Sequence, residues 1–222
     1  MGIIIAVLLF SFIIIFHELG HFLLAKKNGI RVDEFSLGLG PTLLGKQIGE
    51  TKFSLKLLPF GGACMMGEDD ADDLSEGSFN SKSVWARMSV VAAGPIFNLI
   101  LACVFCFILI MITGYRSPEI TGVLDGYSAQ EEGLQAGDVI TEINGRNVHI
   151  WDDVSLYTMT HADEAPFKVE YERDGKKYTA KLEPRQLEGD AAPLLGVTSG
   201  DIVKPGIFKS VEYSIYKVKY WM

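Results

Sequence analysis

The sequence predicts an α-helical membrane protein with two membrane-spanning helices, a membrane-associated β segment between them, and an extracytoplasmic α+β domain. Two apolar runs indicate this class, because Gly2 to Ala25 and Val90 to Thr113 are each 24 residues long. A helix of that length spans about 36 Å, enough to cross a hydrocarbon core of about 30 Å. The rest of the 222-residue chain, which is 48% hydrophobic overall, is more polar and rich in turn residues.

A cleavable signal peptide is the alternative interpretation of the first run. The run has no basic residue before it and no small-x-small cleavage site after it, and Lys26 and Lys27 follow it. We therefore interpret residues 1–25 and 89–113 as membrane-spanning helices.

Basic residues predict the orientation of the chain, because they concentrate in cytosolic loops. None precedes the first run, and Arg116 stands alone just after the second. The connecting segment, residues 26–88, contains eight: Lys26, Lys27, Arg31, Lys46, Lys52, Lys56, Lys82 and Arg87. This segment is therefore expected in the cytosol, and the chain from about Tyr115 onward outside it. The net charge of −8 is spread over both sides and indicates no nucleic-acid partner.

The first run contains the sequence H-E-x-x-H, formed by His17, Glu18 and His21. On an α-helix the two histidines lie about 40° apart around the axis, so both imidazoles face the same way and can bind one zinc ion. Glu18 lies about 60° from His21, close enough to accept a proton from a water molecule on that zinc.

The alternative for these three residues is packing against a partner helix. Charged side chains at membrane depth cost about 3 kcal/mol each and usually have a function. At about 1.5 Å per residue from Lys26, His21 lies about 8 Å and Glu18 about 12 Å below the cytosolic boundary. A metal site near the cytosolic side is therefore expected.

The connecting segment predicts short β-strands. Apolar and polar residues alternate in "DEFSLGL" and "TKFSLKLL", and Gly40-Pro41, Gly45 and Gly49 separate the patterns as turns. Such strands are consistent with a membrane-hugging segment or with an ordinary cytosolic hairpin, and periodicity does not separate the two.

Two further stretches complete the connecting segment. Gly61-Gly62 stands beside the soft apolar residues Cys64, Met65 and Met66, which favours a loop resting on lipid. Glu68 to Ser78 is acidic and is expected to be a flexible, solvated loop, since such carboxylate clusters usually face water.

The second run begins with small residues and contains one amide. Gly94 and its preceding alanines allow close helix approach, and Pro95 frees a backbone carbonyl. Asn98 either forms an interhelical hydrogen bond or orients substrate or active-site backbone, and both interpretations remain open. Cys103 and Cys106 are most simply packing residues.

The chain after the second run reads as a compact α+β domain. It predicts a strand near 122–124, a short helix near 129–133, a strand at 139–143, a helix capped by Asp152 and ending near Thr160, and a hairpin turning at Asp174-Gly175. His149 and His161 are expected to be ordinary surface or core residues, because they lie on the other side of the membrane from H-E-x-x-H.

The chain resembles the N-terminal half of a bacterial site-2 protease, a member of a family of intramembrane zinc metalloproteases. Four blocks in order carry the resemblance over roughly residues 8–185: "FHELGHFLLA", "LPFGGACMMGE", "AAGPIFN" and a PDZ-type "SAQEEGLQAGDVITEINGRNV". The resemblance implies that His17 and His21 are zinc ligands and that Glu18 is the general base.

The resemblance also implies the roles of other segments. Gly94, Pro95 and Asn98 match the family's second-helix motif, residues 33–62 its membrane-associated β segment, and residues 114–186 its PDZ-like domain. Gly61, Gly62 and Asn98 are the candidate substrate-binding residues. The aromatic residue and lysine that often follow the double glycine in the family are absent here, where Ala63 and Met65-Met66 stand.

The family's third zinc ligand is an aspartate in a later membrane helix, and no matching sequence occurs in this chain. A catalytic zinc normally has three protein ligands. We therefore expect a truncated chain that binds zinc weakly and cleaves poorly, in which residues 187–222 form a tail leading toward a further membrane segment.

The resemblance implies that the complete protein is a multi-pass enzyme of the bacterial inner membrane, where it contacts the lipid bilayer. Its substrates would be transmembrane proteins, either membrane-anchored regulators such as anti-sigma factors or signal-peptide remnants. The alternatives are a membrane-anchored PDZ-like peptide-binding module without catalysis, and a transport component that holds metal between helices.

Overall fold

The computed structural model describes residues 2–67, 72–187 and 193–221, and the chain forms two compact units, Met1–Ala102 and Cys103–Met222. The first unit contains two helices and two long strands: α1 (Gly2–Lys27), β1 (Glu34–Ile48), β2 (Thr51–Met65) and most of α2 (Val84–Thr113).

Both long helices are apolar enough to cross a membrane by length and composition. Their most apolar windows have mean hydropathies of 2.5 and 2.8, and only 6% and 11% of the residues in those windows are buried within the protein. Helix α1 ends before Gly29, whose φ of 66° is a left-handed conformation that favours glycine after a helix. Helix α2 begins at Val84, several residues before the apolar run, because the Ser83 hydroxyl accepts a 3.3 Å hydrogen bond from the Ala86 N–H and caps it.

Helices α1 and α2 approach each other closely at two glycines. A Cβ built on Gly20 would lie 2.6 Å from the Ala93 carbonyl oxygen and 2.9 Å from Phe97 Cγ. A Cβ on Gly94 would meet the imidazoles of α1. Small residues at both positions therefore let the two backbones approach, as small residues do in closely packed membrane helices.

Strands β1 and β2 form an antiparallel two-stranded sheet that is folded on itself. Residues 34–37 of β1 lie between two stretches of β2, opposite 52–55 on one side and 62–65 on the other, and residues 44–48 of β1 pair with 51–55. The prediction of short strands separated at Gly40-Pro41 and Gly45 was wrong. Each strand has 15 residues, and left-handed glycines at 38 and 40 (φ of 84° and 89°) bend β1 without ending it.

The first unit is held by a core beneath the sheet. Phe22 of α1 packs on Phe35 and Phe53 at ring-centroid distances of 5.3 and 5.7 Å. Cys64 and Met66 belong to this core, with exposures of only 7% and 8%, so the prediction that they rest on lipid in a loop was wrong. They are buried because alternate residues at the end of β2 point toward α1 and α2.

The far end of the sheet is exposed and apolar. Its exposed side chains include Leu39, Leu43, Leu44, Leu57 and Phe60. Nearer the core, Glu34 accepts hydrogen bonds from Ser54 (2.5 Å) and Lys56 (3.3 Å), and these contacts hold its pKa below the ordinary value.

Part of the acidic stretch, residues 68–71, lies outside the described residues. In the remainder, Ser78 is 2% exposed and donates a hydrogen bond to the Asp73 carbonyl at 2.7 Å, and the Gly77 carbonyl accepts one from the Arg31 N–H at 2.7 Å. The expectation of a wholly solvated loop was therefore wrong at Ser78, where the chain packs before entering α2.

The second unit is an α+β domain built from short elements. They are β3 (Tyr115–Arg116), β4 (Ile120–Val123), α3 (Ser128–Glu131), β5 (Val139–Ile143), β6 (Arg146–Asn147), α4 (Trp151–Thr160), β7 (Phe167–Arg173), β8 (Lys176–Leu182), β9 (Val197–Ser199), β10 (Ile202–Val203) and α5 (Ile207–Trp221). The largest sheet has the antiparallel order β6-β5-β7-β8. Its core side chains include Ile140, Ile143, Phe167, Val169 and Leu182.

Several local predictions for this domain are confirmed. Strand β5 has its predicted bounds, and both hairpin turns have two consecutive left-handed residues, Asn144-Gly145 (φ of 46° and 80°) and Asp174-Gly175 (50° and 73°). The predicted cap of α4 was wrong. Asp153 rather than Asp152 accepts hydrogen bonds from the N–H groups of residues 149 and 150, and Asp152 instead binds Lys217 at 2.5 Å.

Residues assigned to a tail form part of this domain. Strand β9 pairs with β4 and β10 pairs with β3. Helix α5 buries Ser210, Ser214 and Val218, and it stacks Tyr213 on Tyr115 at a centroid distance of 4.0 Å.

We expect Asp138→Asn to loosen the α+β domain. The Asp138 side chain is 1% exposed and accepts hydrogen bonds from Arg173 Nε at 2.6 Å and Arg173 Nη2 at 2.7 Å. It also accepts a hydrogen bond from the Gln135 N–H at 2.8 Å. An amide cannot accept all three bonds, so amide hydrogen exchange in β5 and β7 should accelerate about tenfold. The exposed Asp163→Asn is the control, and equal exchange rates in the two variants would contradict the structural role of Asp138.

Candidate active site

The two histidines of the H-E-x-x-H sequence converge on one point. His17 and His21 lie one turn apart on α1, with ring centroids 4.7 Å apart and ring planes at 79°. A Cβ built on Gly94 would lie 2.5 Å from His17 Nε2 and closer still to His21 Nε2. Both Nε2 atoms therefore face the same small space over α2, which is kept open because residue 94 has no side chain.

The other nitrogen of His21 is held by the backbone of α2. His21 Nδ1 lies 2.7 Å from the Val90 carbonyl oxygen. A carbonyl oxygen can only accept, so Nδ1 carries a proton, and in the neutral imidazole Nε2 then has the lone pair. This is the second contact by which proteins fix the tautomer of a metal-binding histidine.

The other nitrogen of His17 is held by Asn98. His17 Nδ1 lies 3.1 Å from Asn98 Nδ2, while Asn98 Oδ1 is buried and has no hydrogen-bond partner among the described residues. Amide oxygen and nitrogen are interchangeable by a half turn of the side chain. With that turn, Oδ1 accepts the His17 Nδ1–H, the orphaned acceptor is satisfied, and Nε2 of His17 is also left with its lone pair.

Glu18 lies beside the histidines at the edge of the sheet. It lines a cavity together with His21. A Cβ built on Gly62 would lie 3.5 Å from Glu18 Cγ and 3.0 Å from the Ser36 carbonyl oxygen, so the β2 backbone runs close to this carboxylate. Gly61 instead faces Leu39, which a Cβ there would meet at 3.1 Å.

Of the six candidate site residues, five are therefore close together. Asn98 contacts His17, and His17 and His21 both face the space at Gly94. Glu18 and Gly62 lie beside them. Gly61 is the exception. His149 and His161 lie in the other unit, where each stacks on a tyrosine, Tyr216 and Tyr157.

The donor set fits a zinc ion in part. Two imidazole nitrogens aimed at one point suit zinc, which binds histidine nitrogen at about 2.0–2.1 Å. Within the part of the chain that the structure describes, however, no group of three histidine, cysteine, aspartate or glutamate side chains is close enough to hold a metal. The described residues thus supply two of the three protein ligands that a catalytic zinc normally has.

Sequence reasoning missed three features of the site. These are the Val90 carbonyl, the glycine contact at Gly20, and the cavity wall formed by Cys64, Met66 and Phe79. Gly20, which directly precedes His21, was a visible signal, since glycine is costly inside a helix unless a close contact requires it.

Paired imidazoles and an adjacent carboxylate on one apolar helix define a metallopeptidase type of centre. The chain belongs to peptidase family M50, whose sequence profile matches residues 5–219.

Curated relatives carry zinc metalloprotease names. A provisionally named zinc metalloprotease of Clostridium acetobutylicum is 38% identical over 96% of this chain and 62% of its own length. A second, from Clostridium perfringens, is 36% identical over 96% of this chain and 63% of its own length. Zinc metalloprotease RasP of Bacillus licheniformis is 28% identical over 93% of this chain. The chain thus spans less than two thirds of the clostridial relatives.

Two solved structures are similar to part of the chain. A PDZ domain of an SdrC-like protein from Listeria monocytogenes is 24% identical, covers 39% of this chain and 87% of its own, and has a TM-score of 0.30. The HtrA3 PDZ domain bound to a phage-derived ligand is 21% identical over 40% of this chain and 88% of its own, with a TM-score of 0.25.

We expect Gly94→Ala to abolish metal binding at this site. The added methyl group occupies the point on which both Nε2 atoms converge. Zinc content of the purified, intact gene product, measured by atomic absorption, should fall at least about tenfold. Ala92→Val, at an exposed neighbouring position, should keep its zinc, and full zinc content in the Gly94→Ala variant would disprove the shared metal point.

We expect Asn98→Leu to weaken zinc binding without blocking the site. Leucine is similar in size but cannot accept the His17 Nδ1–H, and loss of such a contact typically lowers metal affinity about 10–100-fold. Asn98→Asp retains an acceptor and should bind nearly as tightly as the parent. Chelator competition measures both, and equal affinity in the leucine variant would show that Asn98 does not position His17.

Proposed function

We propose that this chain forms the catalytic N-terminal part of an intramembrane zinc metalloprotease of the site-2 type. One observation carries the proposal: Nε2 of His17 and of His21 converge at Gly94, beside Glu18, within a helix apolar and long enough to span a bilayer. The family membership and the names of the relatives support it.

The residues of the chain divide the work among themselves. His17 and His21 hold the metal, and Asn98 and the Val90 carbonyl keep each imidazole in the tautomer that leaves Nε2 free. A zinc ion bound there supplies Lewis acidity toward water and the scissile carbonyl. Glu18 accepts the proton of the attacking water and then donates it to the departing amine nitrogen. The described residues supply no third protein ligand, so the proposal assigns it to the remainder of the whole protein.

The sheet edge supports a role in presenting substrate. A helical substrate must unwind, because its carbonyls are otherwise engaged in its own hydrogen bonds. Residues 62–65 pair with β1 on one side, and Gly62 adjoins Glu18. An unwound segment can add as a strand along this edge, so that its backbone passes the carboxylate.

The proposed setting is the bacterial inner membrane, with the H-E-x-x-H site near the cytosolic face and the α+β domain outside. The positive-inside bias of residues 26–88 supports this orientation. The substrates are then transmembrane proteins, such as membrane-anchored regulators or signal-peptide remnants.

A second candidate is a membrane-anchored peptide-binding module. The α+β domain has a groove of about 370 Å³ between α4 and the stretch at β9, lined by Trp151, Val154, Thr158, Leu195 and Val197. An apolar groove between a helix and a strand suits an extended peptide. In the protease this groove serves to bind or filter substrates, whereas in the alternative it is the whole function.

We expect Glu18→Gln to separate the two functions. Glutamine keeps the shape of the side chain but cannot accept the proton, so cleavage of a single-span reporter by the intact gene product in membranes should fall at least about 100-fold. Zinc content should remain, because Glu18 is not a ligand. Glu76→Gln, an exposed change in the connecting segment, is the control. Cleavage that survives in the Glu18→Gln protein refutes the protease and leaves the peptide-binding module.

A further inference from the structure

A cavity of about 270 Å³ opens beside the proposed catalytic residues. Glu18 and His21 form one wall, and Cys64, Met66, Phe79 and Val90 are among the residues of the others. The volume is far larger than the share of about 30 Å³ that a water molecule occupies in the liquid. The cavity is therefore large enough to receive a side chain.

The walls of the cavity are fixed, while its mouth is open. Val90 is fully buried, and Cys64 and Met66 are 7% and 8% exposed within the core of the first unit. Val91, which also lines the cavity, is 62% exposed. The described walls are apolar apart from Glu18 and His21, so they give no counter-charge to an acidic side chain, which would also meet Glu18 as a like charge.

The end of strand β2 runs from Glu18 to the cavity. Side chains alternate between the two faces of an extended chain, so every second residue, here 62, 64 and 66, lies on the same face at intervals of about 7 Å. Gly62 therefore adjoins Glu18, while Cys64 and Met66 point into the cavity. A peptide lying along this edge passes Glu18 first and the cavity mouth immediately afterwards.

The reach of Glu18 decides which substrate residue can enter. The carboxylate must come within about 3 Å of the proton that it transfers. Consecutive residues of an extended peptide are about 3.3 Å apart. When the carbonyl of the scissile bond is at Glu18, only a residue flanking that bond therefore lies at the mouth of the cavity.

We infer that this cavity is the specificity pocket for a residue flanking the scissile bond, and that it selects an apolar side chain by size. The inference rests on the proposed protease function. Met66 is a flexible side chain that adapts to different shapes. Phe79 forms part of the wall, and the exposed Val91 limits the size at the mouth.

The test changes the pocket and follows the ratio of substrates rather than total activity. A single-span reporter whose cleavage site is mapped by mass spectrometry carries Ala, Leu, Phe or Asp at each residue flanking the scissile bond. Val91→Phe narrows the mouth and should lower kcat/KM for the Leu and Phe reporters about tenfold relative to Ala at one of the two positions. Phe79→Ala widens the pocket and should raise the Phe-to-Ala ratio about tenfold.

The controls separate this inference from the proposed function. Val104→Phe makes the same substitution at an exposed position further along α2 and should leave all ratios unchanged. Unchanged ratios in both pocket variants, or an Asp reporter cleaved as fast as the Leu reporter at both positions, overturn the specificity pocket while the protease function stands. Absence of Glu18-dependent cleavage of every reporter by the unsubstituted, intact gene product overturns both.

Discussion

The site depends on the close contact between α1 and α2. Gly20 lets α1 lie against the Ala93 carbonyl, and Gly94 leaves room for the two imidazoles. Only at this separation can α2 supply acceptors to both histidines from its own backbone and from Asn98. A larger residue at either glycine would push the helices apart, and the imidazoles would lose the contacts on α2 that orient them.

A glycine also allows the sheet to pack closely against this helix pair. Gly62 allows the β2 backbone to pass close to Glu18. Because side chains alternate on a strand, the next residues on that face, Cys64 and Met66, fill the space between the helices. One short stretch of β2 thus borders the carboxylate, completes the core of the first unit and forms a wall of the cavity.

The sequence predicted what is encoded locally. The one-turn spacing of His17 and His21 and the two glycine-containing hairpin turns needed only the periodicity of a helix and the conformation of two residues. The folded-back register of β1 and β2 and the burial of Cys64 were not predictable from periodicity, because they depend on which distant stretches meet. For Asn98 the sequence allowed either an interhelical hydrogen bond or a role in the site. Its contact with His17, 81 residues earlier in the chain, is both, because it joins α2 to α1 at a site residue.

The charge balance of the site explains why three polar groups persist on an apolar helix. Each imidazole has Nδ1 in contact with α2, so in its neutral form it directs the lone pair of Nε2 toward Gly94. Among the ion pairs of the described residues, none includes Glu18. Packing alone would leave this carboxylate as an uncompensated charge, which costs about 3 kcal/mol at membrane depth. Under the proposed function, a dication held by the two imidazoles would offset that charge and would use both lone pairs. The arrangement is therefore costly as a packing motif and would be favourable as a metal centre.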